Sequence, residues 1–386
     1  MTSSPPASAG RPQRRLRRSA RRQARAEARF VGGGEFTVGA EEELLLVGPD
    51  DQLQPGSAEP LLAAIDQQPG GTATHELFDS EIEFASAVGH NGEEVSDSLR
   101  TLREALGAAG GRPLAAGVHP AGAFADVGLT RSARYDPIGA DLAGLLRTPT
   151  AALQVHVGMP DANAAMAAMG GLRHQLAMLR ALTASSPYWH GRDSGLASAR
   201  WAVLKSYPRS GVPPAVRNWE EYVTLTRALV AAAEVPDYTH VWWDLRAHPR
   251  FGTIEVRVMD TQPSLAVVAG LVTLIQGLAR SAVEGPPPSR IPSEVLAEND
   301  FRVARHGLEA RIVGVDGTLG SVRQAAAHAI ATARAALDHD GSAEPLSALE
   351  QLLRDEPPYE RQRRIHAQLG MAGLLRDLVV RTRRGA

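Results

Sequence analysis

FGTIEVRVMD, at residues 251–260, is the most informative stretch of this chain. Successive side chains of a β-strand point to opposite faces, so the stretch separates into an apolar set and a polar set. The apolar set can face a core, whereas the polar set is costly to bury unless each member finds a partner. Taken alone, the stretch also fits a solvated strand face with a cross-strand ion pair. The apolar set is Ile254, Val256 and Val258, and the polar set is Thr253, Glu255 and Arg257.

Three other stretches repeat this pattern, which favours one shared polar face. Each reads as a strand with acids or a histidine opposite apolar side chains: GAEEELLLV at 39–47, HELFDSEIEFAS at 75–86 and LQVHVGM at 153–159. Like charges two residues apart along a strand repel each other, which asks for a cation between them or for full exposure to water. The side chains of this face are Glu41 and Glu43, Glu83 with Glu76 one strand length upstream, and His156.

The composition is that of a globular protein with a real core. The 386 residues are 44% hydrophobic and 22% charged, and the formal net charge of −2 gives no global argument for nucleic acid or membrane. Cysteine is absent, which excludes disulfides, thiolate metal sites and a thiol nucleophile. Lys205 is the single lysine, so lysine-based catalysis has one candidate. The longest apolar run, at 265–278, is too short and interrupted to predict a membrane span.

The chain divides into a tail and one folded domain. Residues 1–34 form an Arg-rich tail that we expect to be disordered, because a segment with so few apolar residues cannot bury enough surface to fold. Its basic stretch, 11–30, could bind a polyanion such as nucleic acid, and it also has the composition of a transit peptide. Residues 35–386 are predicted to form a single catalytic domain, of which 290–386 is mainly helical.

The coarse secondary structure is α+β. Antiparallel strands are predicted through the first two-thirds of the chain, with a hairpin around 248–252 leading into the strand at 251–260. Apolar residues at three- and four-residue steps predict helices at about 92–109, 162–184, 218–233 and 264–282. We expect 126–150 to be loop-like and 185–214 to be a long irregular segment. Segments of that length in a compact domain are usually functional or disordered, and the tryptophans favour order.

If the four polar stretches lie in one sheet, their side chains form a basin of carboxylates with one imidazole. Such a donor set suits Mg²⁺ or Mn²⁺ better than a tetrahedral zinc site. Arg246, Arg250 and Arg257 could grip a phosphate or carboxylate by paired hydrogen bonds. Carboxylates, divalent metals and arginines together indicate phosphoryl transfer, and no Walker-type P-loop motif is present in the sequence.

The ordered motifs resemble a known family, the carboxylate-amine ligases of the glutamate–cysteine ligase type 2 family. The resemblance runs from about Phe36 to Gly307. It departs from the family pattern at Gln154, where relatives commonly carry another histidine, in the Arg-rich tail and across 126–150. The motifs that carry it are GAEEELLLV, HELFDSEIEF, AAGVHP, LQVHVGM, SSPYWHGRDSGLAS, TIEVRVMD and ENDFRVARHGL.

The resemblance implies a glutamine-synthetase-like fold, in which a curved antiparallel sheet forms an active-site funnel with helices on its outer face. It implies one set of Mg²⁺ ligands, Glu41, His156 and Glu255, and a second set for another metal, Glu43, Glu76 and Glu83. By its position in the matching motif, Arg257 is expected to contact the transferring phosphate. Arg246, Arg192 and Arg305 are expected to bind ATP or substrate.

The implied reaction is ATP-dependent formation of an amide, in the family's name between L-glutamate and L-cysteine, through an acyl phosphate. One alternative is a metal-dependent phosphotransferase of the same fold, which would release ADP without an amine. Another is a non-catalytic binding homologue, whose signature would be lost acids in the basin. The substrates are expected to be ATP and amino acids in the cytoplasm, without a membrane partner, and a homo-oligomeric assembly is left open.

Overall fold

The computed structural model describes residues 29–65, 70–123, 128–286, 290–337 and 342–385. Almost all of the Arg-rich tail lies outside these residues, including most of the basic stretch 11–30. The predicted disorder of the tail and its predicted polyanion binding therefore stay predictions.

The molecule is built around one antiparallel sheet of seven strands: β1 (Val38–Leu46), β2 (Gly71–His75), β3 (Glu81–Ser86), β4 (Pro113–Leu114), β5 (Ala152–Gly158), β8 (Leu245–His248) and β9 (Thr253–Asp260). Their order is β2-β3-β1-β5-β9-β8, with β4 paired to β1. This order brings the four polar stretches of the sequence side by side, because β1, β3, β5 and β9 are neighbours. Two small hairpins join β6 (Tyr188–Trp189) to β7 (Arg192–Asp193) and β10 (Arg311–Val313) to β11 (Leu319–Ser321).

Twelve α-helices occur in the described part of the chain, and they dominate its C-terminal third. The first eight are α1 (Ala58–Ala64), α2 (Gly92–Ala108), α3 (Tyr135–Leu142), α4 (Ala162–Arg173), α5 (Leu176–Thr183), α6 (Ala199–Lys205), α7 (Trp219–Ala232) and α8 (Leu265–Glu284). The last four are α9 (Ser293–His306), α10 (Val322–Leu337), α11 (Leu346–Arg354) and α12 (Pro358–Arg384), the last interrupted at Gly370. The predicted α+β architecture is confirmed.

Helices cover the apolar face of the sheet and leave the polar face open. Ile254, Val256 and Val258 of β9 are fully buried in the main core, together with the apolar sides of β1, β3 and β5 and with helices α2, α4, α5 and α8. Burial of this apolar surface is the main favourable contribution to folding. By length and composition α8 could cross a membrane, but 67% of its most apolar window is buried inside the protein, as in a core helix.

Several local expectations differ from the structure. The loop predicted at 126–150 contains α3, which local propensity hides because Pro137 and Gly139 lie within it. Its buried Ile138 and Leu142 pack with Phe78, so tertiary contacts stabilise the helix. The helix predicted at 162–184 is two helices separated near His174, the irregular segment 185–214 contains β6, β7 and α6, and the helical C-terminal third includes the β10–β11 hairpin.

Candidate active site

The polar face of the sheet forms the floor of a cavity of about 670 Å³. Acids and arginines from β1, β3, β8 and β9 line it, and α3 and α6 contribute to its sides. Eight of the residues predicted from the sequence line this cavity, and His156 lies beneath it in contact with two of them. The eight are Glu41, Glu43, Glu76, Glu83, Arg246, Arg250, Glu255 and Arg257.

One rung of the sheet aligns His156, Glu255 and Arg246 on β5, β9 and β8. Arg246 donates from Nε to Glu255 Oε2 at 2.8 Å and from Nη2 to Oε1 at 3.0 Å, the bidentate pairing that guanidinium and carboxylate favour. Arg257 also donates to Glu255 Oε1. Burial opposes ionisation of Glu255, but Arg246, Arg257 and His156 hold its pKa well below the usual range. Glu255 is therefore a buried anion held by cations.

The group Glu41, His156 and Glu255 could hold a metal ion. One ligand atom from each lies within 4.8 Å of the others, and His156 Nε2 is 3.4 Å from Glu41 and 4.0 Å from Glu255. This Nε2 is buried and has no hydrogen-bond partner, while Nδ1 is 2.9 Å from Thr253 Oγ1. A ring nitrogen fixed on one side and unpartnered on the other is arranged as a metal ligand is. The donors present thus fit a divalent cation.

A second group of carboxylates lies across β1 and β3, where Glu43 faces Glu83 in the register of the two strands. Burial and the charge of Glu76 raise the pKa of Glu43 to about 7. Burial, with Glu76, Glu41 and Glu43 next in order, raises the pKa of Glu83 well above its usual value. Carboxylates that repel one another in this way would be stabilised by a cation among them.

A β-bulge directs Arg257 toward this group. The pairing of β5 with β9 shifts register between Leu153 and Val155, so that two residues of β9 oppose Gln154. The Gln154 amide accepts a hydrogen bond from Arg257 and donates from Nε2 to Glu43 Oε1 at 2.6 Å. Gln154, at the position where the sequence departs from the family pattern, therefore bridges the arginine of one group and a carboxylate of the other.

Buried Asp260, the last residue of β9, anchors the segment SSPYWHGRDSGLAS. It accepts hydrogen bonds from the backbone N–H of Ser185 at 3.0 Å, from Ser186 Oγ at 2.8 Å and from Ser198 Oγ at 3.0 Å. Arg200 follows this segment on α6, lines the cavity, and donates to the carbonyl oxygens of Arg257 and Val258, each at 3.3 Å. Asp260 and Arg200 thereby fix the backbone that carries Arg257.

Two residues expected to bind ATP or substrate lie outside the cavity. Arg192 is exposed on β7, and Arg305 is exposed near the end of α9. Neither lines the cavity, and their predicted binding roles remain without structural support. Arg246 does line it, with its guanidinium engaged by Glu255 and by the carbonyl oxygens of Thr239 and Val241.

Three residues at the site were not selected from the sequence. Glu81 is 1% exposed and lines the cavity, and burial together with Glu43 raises its pKa well above the usual value. Its two-residue spacing from Glu83 was a signal that could have identified it. Arg134 and Arg200 also line the cavity, but they come from a loop and a short helix where no periodic pattern marks them.

The chain is similar to known ligases in sequence and in fold. A profile of the glutamate-cysteine ligase family 2 (GCS2) matches residues 37–377. A Rubrobacter xylanophilus protein is 34% identical over 351 residues, which is 89% of this chain and 96% of that protein. The glutamate–cysteine ligase of Haloferax volcanii is 31% identical over 357 residues, which is 89% of this chain and 96% of that enzyme.

Solved structures share the fold at low sequence identity. The glutamate–cysteine ligase of Francisella tularensis in complex with AMP has a TM-score of 0.69 at 10% identity, covering 92% of this chain and 90% of that one. The complex of the prokaryotic ubiquitin-like protein Pup with its ligase PafA has a TM-score of 0.51 at 14% identity, covering 88% of this chain and 67% of that one. These likenesses confirm the predicted glutamine-synthetase-like fold. With the profile match and the full-length relatives, they show that this chain belongs to the glutamate-cysteine ligase family 2.

Proposed function

We propose that this chain catalyses ATP-dependent joining of L-glutamate to L-cysteine, giving γ-glutamylcysteine, ADP and phosphate. An oxygen of the glutamate side-chain carboxylate attacks the γ-phosphorus of ATP, and ADP leaves. The cysteine amine then attacks the acyl carbon, phosphate leaves, and the nitrogen loses a proton. Family membership and the similarity to a ligase bound to AMP support this reaction.

One observation carries the proposal. Five strands place acids and two arginines around one cavity of about 670 Å³ and a histidine beneath it, although these residues are far apart in the sequence. The acids at the other face of the same strands are not part of the site, as buried Glu42 illustrates by pairing with Arg103. A surface merely rich in acids would not be arranged with buried cationic partners in this way.

The donor set supports a divalent cation at the site. Glu41, His156 and Glu255 would hold one ion, and Glu43, Glu76 and Glu83 would surround another, with Mg²⁺ or Mn²⁺ as the expected metals. The ion supplies charge neutralisation for the phosphates of ATP when it is bound.

Arginines supply the rest of the positive charge. Arg257 lies between the two carboxylate groups, and Glu255, Glu41 and Glu43 outweigh burial to raise its pKa, so it stays a cation. A fixed guanidinium with five donors is suited to the oxygens of a transferring phosphoryl group. Arg134, Arg200 and Arg250 also line the cavity, and their positive charge favours the carboxylates of the two amino acids.

The test is an ADP-release assay of the purified full-length chain with Mg²⁺, ATP, glutamate and a panel of amino acids as amines. We expect ADP release to depend on both glutamate and cysteine, and mass spectrometry to detect γ-glutamylcysteine. Substitution Glu255→Gln or Arg257→Ala should lower the rate by about a hundred- to a thousandfold, the usual loss on removing a charge-stabilising group.

The same assay separates the alternatives. ADP release that is independent of any amine would indicate the phosphotransferase, and ATP binding without turnover would indicate the binding homologue. Near-normal phosphate release from either variant would contradict the roles given to Glu255 and Arg257. A cytoplasmic location, where ATP and free amino acids are available, is part of the proposal, and fractionation of the source cells would test it.

A further inference from the structure

A second cavity, of about 290 Å³, lies where the start of α8 meets α11 and α12. We call it the α8–α12 pocket. It is separate from the active site, since the two cavities share no lining residue. Its lining includes Ser185, Gln262, Asp355, Arg361, Gln362 and Arg381.

The pocket contains cationic donors that the protein does not use. Arg361 donates from Nη2 to Asp377 at 2.8 Å, but its Nε is buried without a hydrogen-bond partner. The guanidinium of Arg381 makes no hydrogen bond or ion pair with any residue of the described chain. Burial and the charge of nearby Arg361 lower the pKa of Arg381, against the opposing effect of Asp377. An unpaired buried donor such as Arg361 Nε is rare in native structures and favours an acceptor-bearing ligand, and half-buried Arg381 adds a second cation near it.

The same pocket contains acceptors that are equally unused. Gln362 is 3% exposed and donates from Nε2 to the carbonyl oxygen of Ser185 at 2.5 Å. Because that carbonyl can only accept, the orientation of the amide is fixed, and Oε1 is left buried without a partner. The carboxylate of Asp355, at the rim, makes no ion pair or side-chain hydrogen bond within the described residues. Both groups could accept from an ammonium.

We propose that the α8–α12 pocket binds the amino-acid end of a small molecule, with its carboxylate on Arg361 and Arg381 and its ammonium on Gln362 and Asp355. A zwitterion can pair with both the donors and the acceptors of the pocket, whereas a simple anion or a simple cation can pair with only one of the two sets. The positive end of α8, whose first turn lines the pocket, further favours the carboxylate. The inference does not depend on the reaction proposed for the main cavity.

Two hydrogen-bonded connections join the pocket to the active site. Gln362 holds the carbonyl of Ser185, whose N–H donates to Asp260, the anchor of the segment that precedes Arg200. Separately, Arg103 donates to the carbonyl oxygen of Gln262 at 2.7 Å and pairs with Glu42, which lies between Glu41 and Glu43 on β1. A ligand in the pocket is therefore positioned to influence both carboxylate groups of the active site.

Glycine is the probe, since it is the smallest zwitterion, and acetate and methylamine are its single-headed controls. Binding to the full-length protein is measured by titration of ¹³C-labelled glycine with NMR detection. We expect saturable glycine binding that weakens about tenfold or more in Arg381→Met and in Asp355→Asn, because each removes a charged partner. Asp355 is exposed, so the second variant should fold even if the first does not.

Two further variants locate the binding. Arg376→Met removes an exposed arginine of α12 outside the pocket and should leave glycine affinity unchanged. Arg257→Met should also retain it, which separates the pocket from the active site. The inference is overturned if glycine binding is not saturable, if neither pocket variant weakens it, if Arg257→Met alone abolishes it, or if acetate binds as tightly as glycine.

Discussion

At the scale of single residues, the active site balances buried carboxylates with arginines that are also candidates for binding phosphate. Both oxygens of Glu255 accept hydrogen bonds from Arg246, and Arg257 shares one of them. A cation on Glu41, His156 and Glu255 would compete with Arg257 for the same oxygen. The guanidinium of Arg257 is therefore a counter-charge to Glu255, and it would become available for another anion if a metal were held by these three residues.

This exchange predicts that the effect of Arg257→Met on stability depends on Mg²⁺. Without a divalent cation, the free energy of unfolding of the variant should be about 1.5–3 kcal/mol lower, because one charged hydrogen-bond donor to Glu255 is lost. Saturating Mg²⁺ should recover much of that loss. Urea unfolding with and without Mg²⁺ measures both values.

Arg250→Met is the matched control, because Arg250 lines the same cavity but pairs with Asp237 near the surface. An exposed pair of this kind contributes about 0–1 kcal/mol, and its removal should not depend on Mg²⁺. An equal Mg²⁺ effect in both variants would contradict the counter-charge role of Arg257.

Glu43 gives a prediction about pH. Its pKa in the folded protein is raised from 4.5 to about 7 by burial and Glu76, so the folded state binds more protons than the unfolded state in this window. In the metal-free protein, the contribution of Glu43 to the free energy of unfolding should therefore be fully present below pH 4.5 and should decrease as the pH rises toward 7. Since one pKa unit corresponds to about 1.4 kcal/mol, the loss should reach up to about 3 kcal/mol.

The variant Glu43→Gln isolates this contribution from those of other groups. In EDTA, the free energy of unfolding of Glu43→Gln minus that of the wild-type protein should increase between pH 4.5 and 7. Added Mg²⁺ should reduce the increase, because a cation offsets the repulsion among the carboxylates. A difference that stays constant over this range would show that Glu43 does not titrate there.

At the scale of strands and helices, the sequence predicts what periodicity encodes. Alternation identified the two faces of β1, β3, β5 and β9, and helical spacing identified α2 and α8. Edge strand β2 was missed, because its five residues, Gly-Thr-Ala-Thr-His, show little apolar alternation. The β-bulge at Arg257 could not be predicted from the sequence either, because it is a shift in the pairing register with β5 and leaves no local sequence pattern.

The segment between Ser185 and Ser198 illustrates how one element depends on another. It contains little regular structure, yet it is ordered, because Asp260 collects one backbone and two hydroxyl hydrogen bonds from it. Sequence reasoning expected order here from the tryptophans, but the anchoring acid is at the end of a strand some 60 residues later.

We therefore predict that Asp260→Asn loosens this segment selectively. The amide offers only one acceptor oxygen to several donors and brings two N–H groups toward them, so buried donors are left unpaired at a cost of about 1–3 kcal/mol each. Hydrogen exchange followed by mass spectrometry should show faster exchange across 185–200 than in α8. The exposed change Asp193→Asn, in the middle of the same segment, should leave exchange near Ser185 and Ser198 unaltered.

At the scale of the whole molecule, the sequence alone could not establish which strands are neighbours. The order β2-β3-β1-β5-β9-β8 depends on pairings between residues more than 100 positions apart, such as Glu41 with Gln154. Through family resemblance, the ordered motifs predicted a curved antiparallel sheet but not its strand order. They served less well outside the sheet, because Arg192 and Arg305 are exposed and do not line the cavity.

Arg103 connects several distant elements of the fold through its hydrogen bonds, and the periodicity of its helix did not predict this position. From α2 it pairs with buried Glu42 on β1, with Nε donating to Oε2 at 2.9 Å. It also donates to the carbonyl oxygens of Gln262, Pro263 and Thr382, at 2.7, 2.6 and 3.1 Å. One side chain thus joins a helix, the central sheet, the approach to α8 and the C-terminal helix.

Removing Arg103 should therefore destabilise the entire domain rather than one element. Arg103→Met leaves Glu42 buried without its cation, which costs about 3–5 kcal/mol, whereas the exposed change Arg100→Met on the same helix should cost less than about 1 kcal/mol. The double variant Arg103→Met with Glu42→Met removes both charges and should recover part of the loss. It should not recover all of it, because three carbonyl oxygens still lack their donor. Urea unfolding of the wild-type protein, Arg103→Met, Glu42→Met and the double variant measures the coupling free energy between the two side chains. Additive effects of the two substitutions would contradict a direct buried pair.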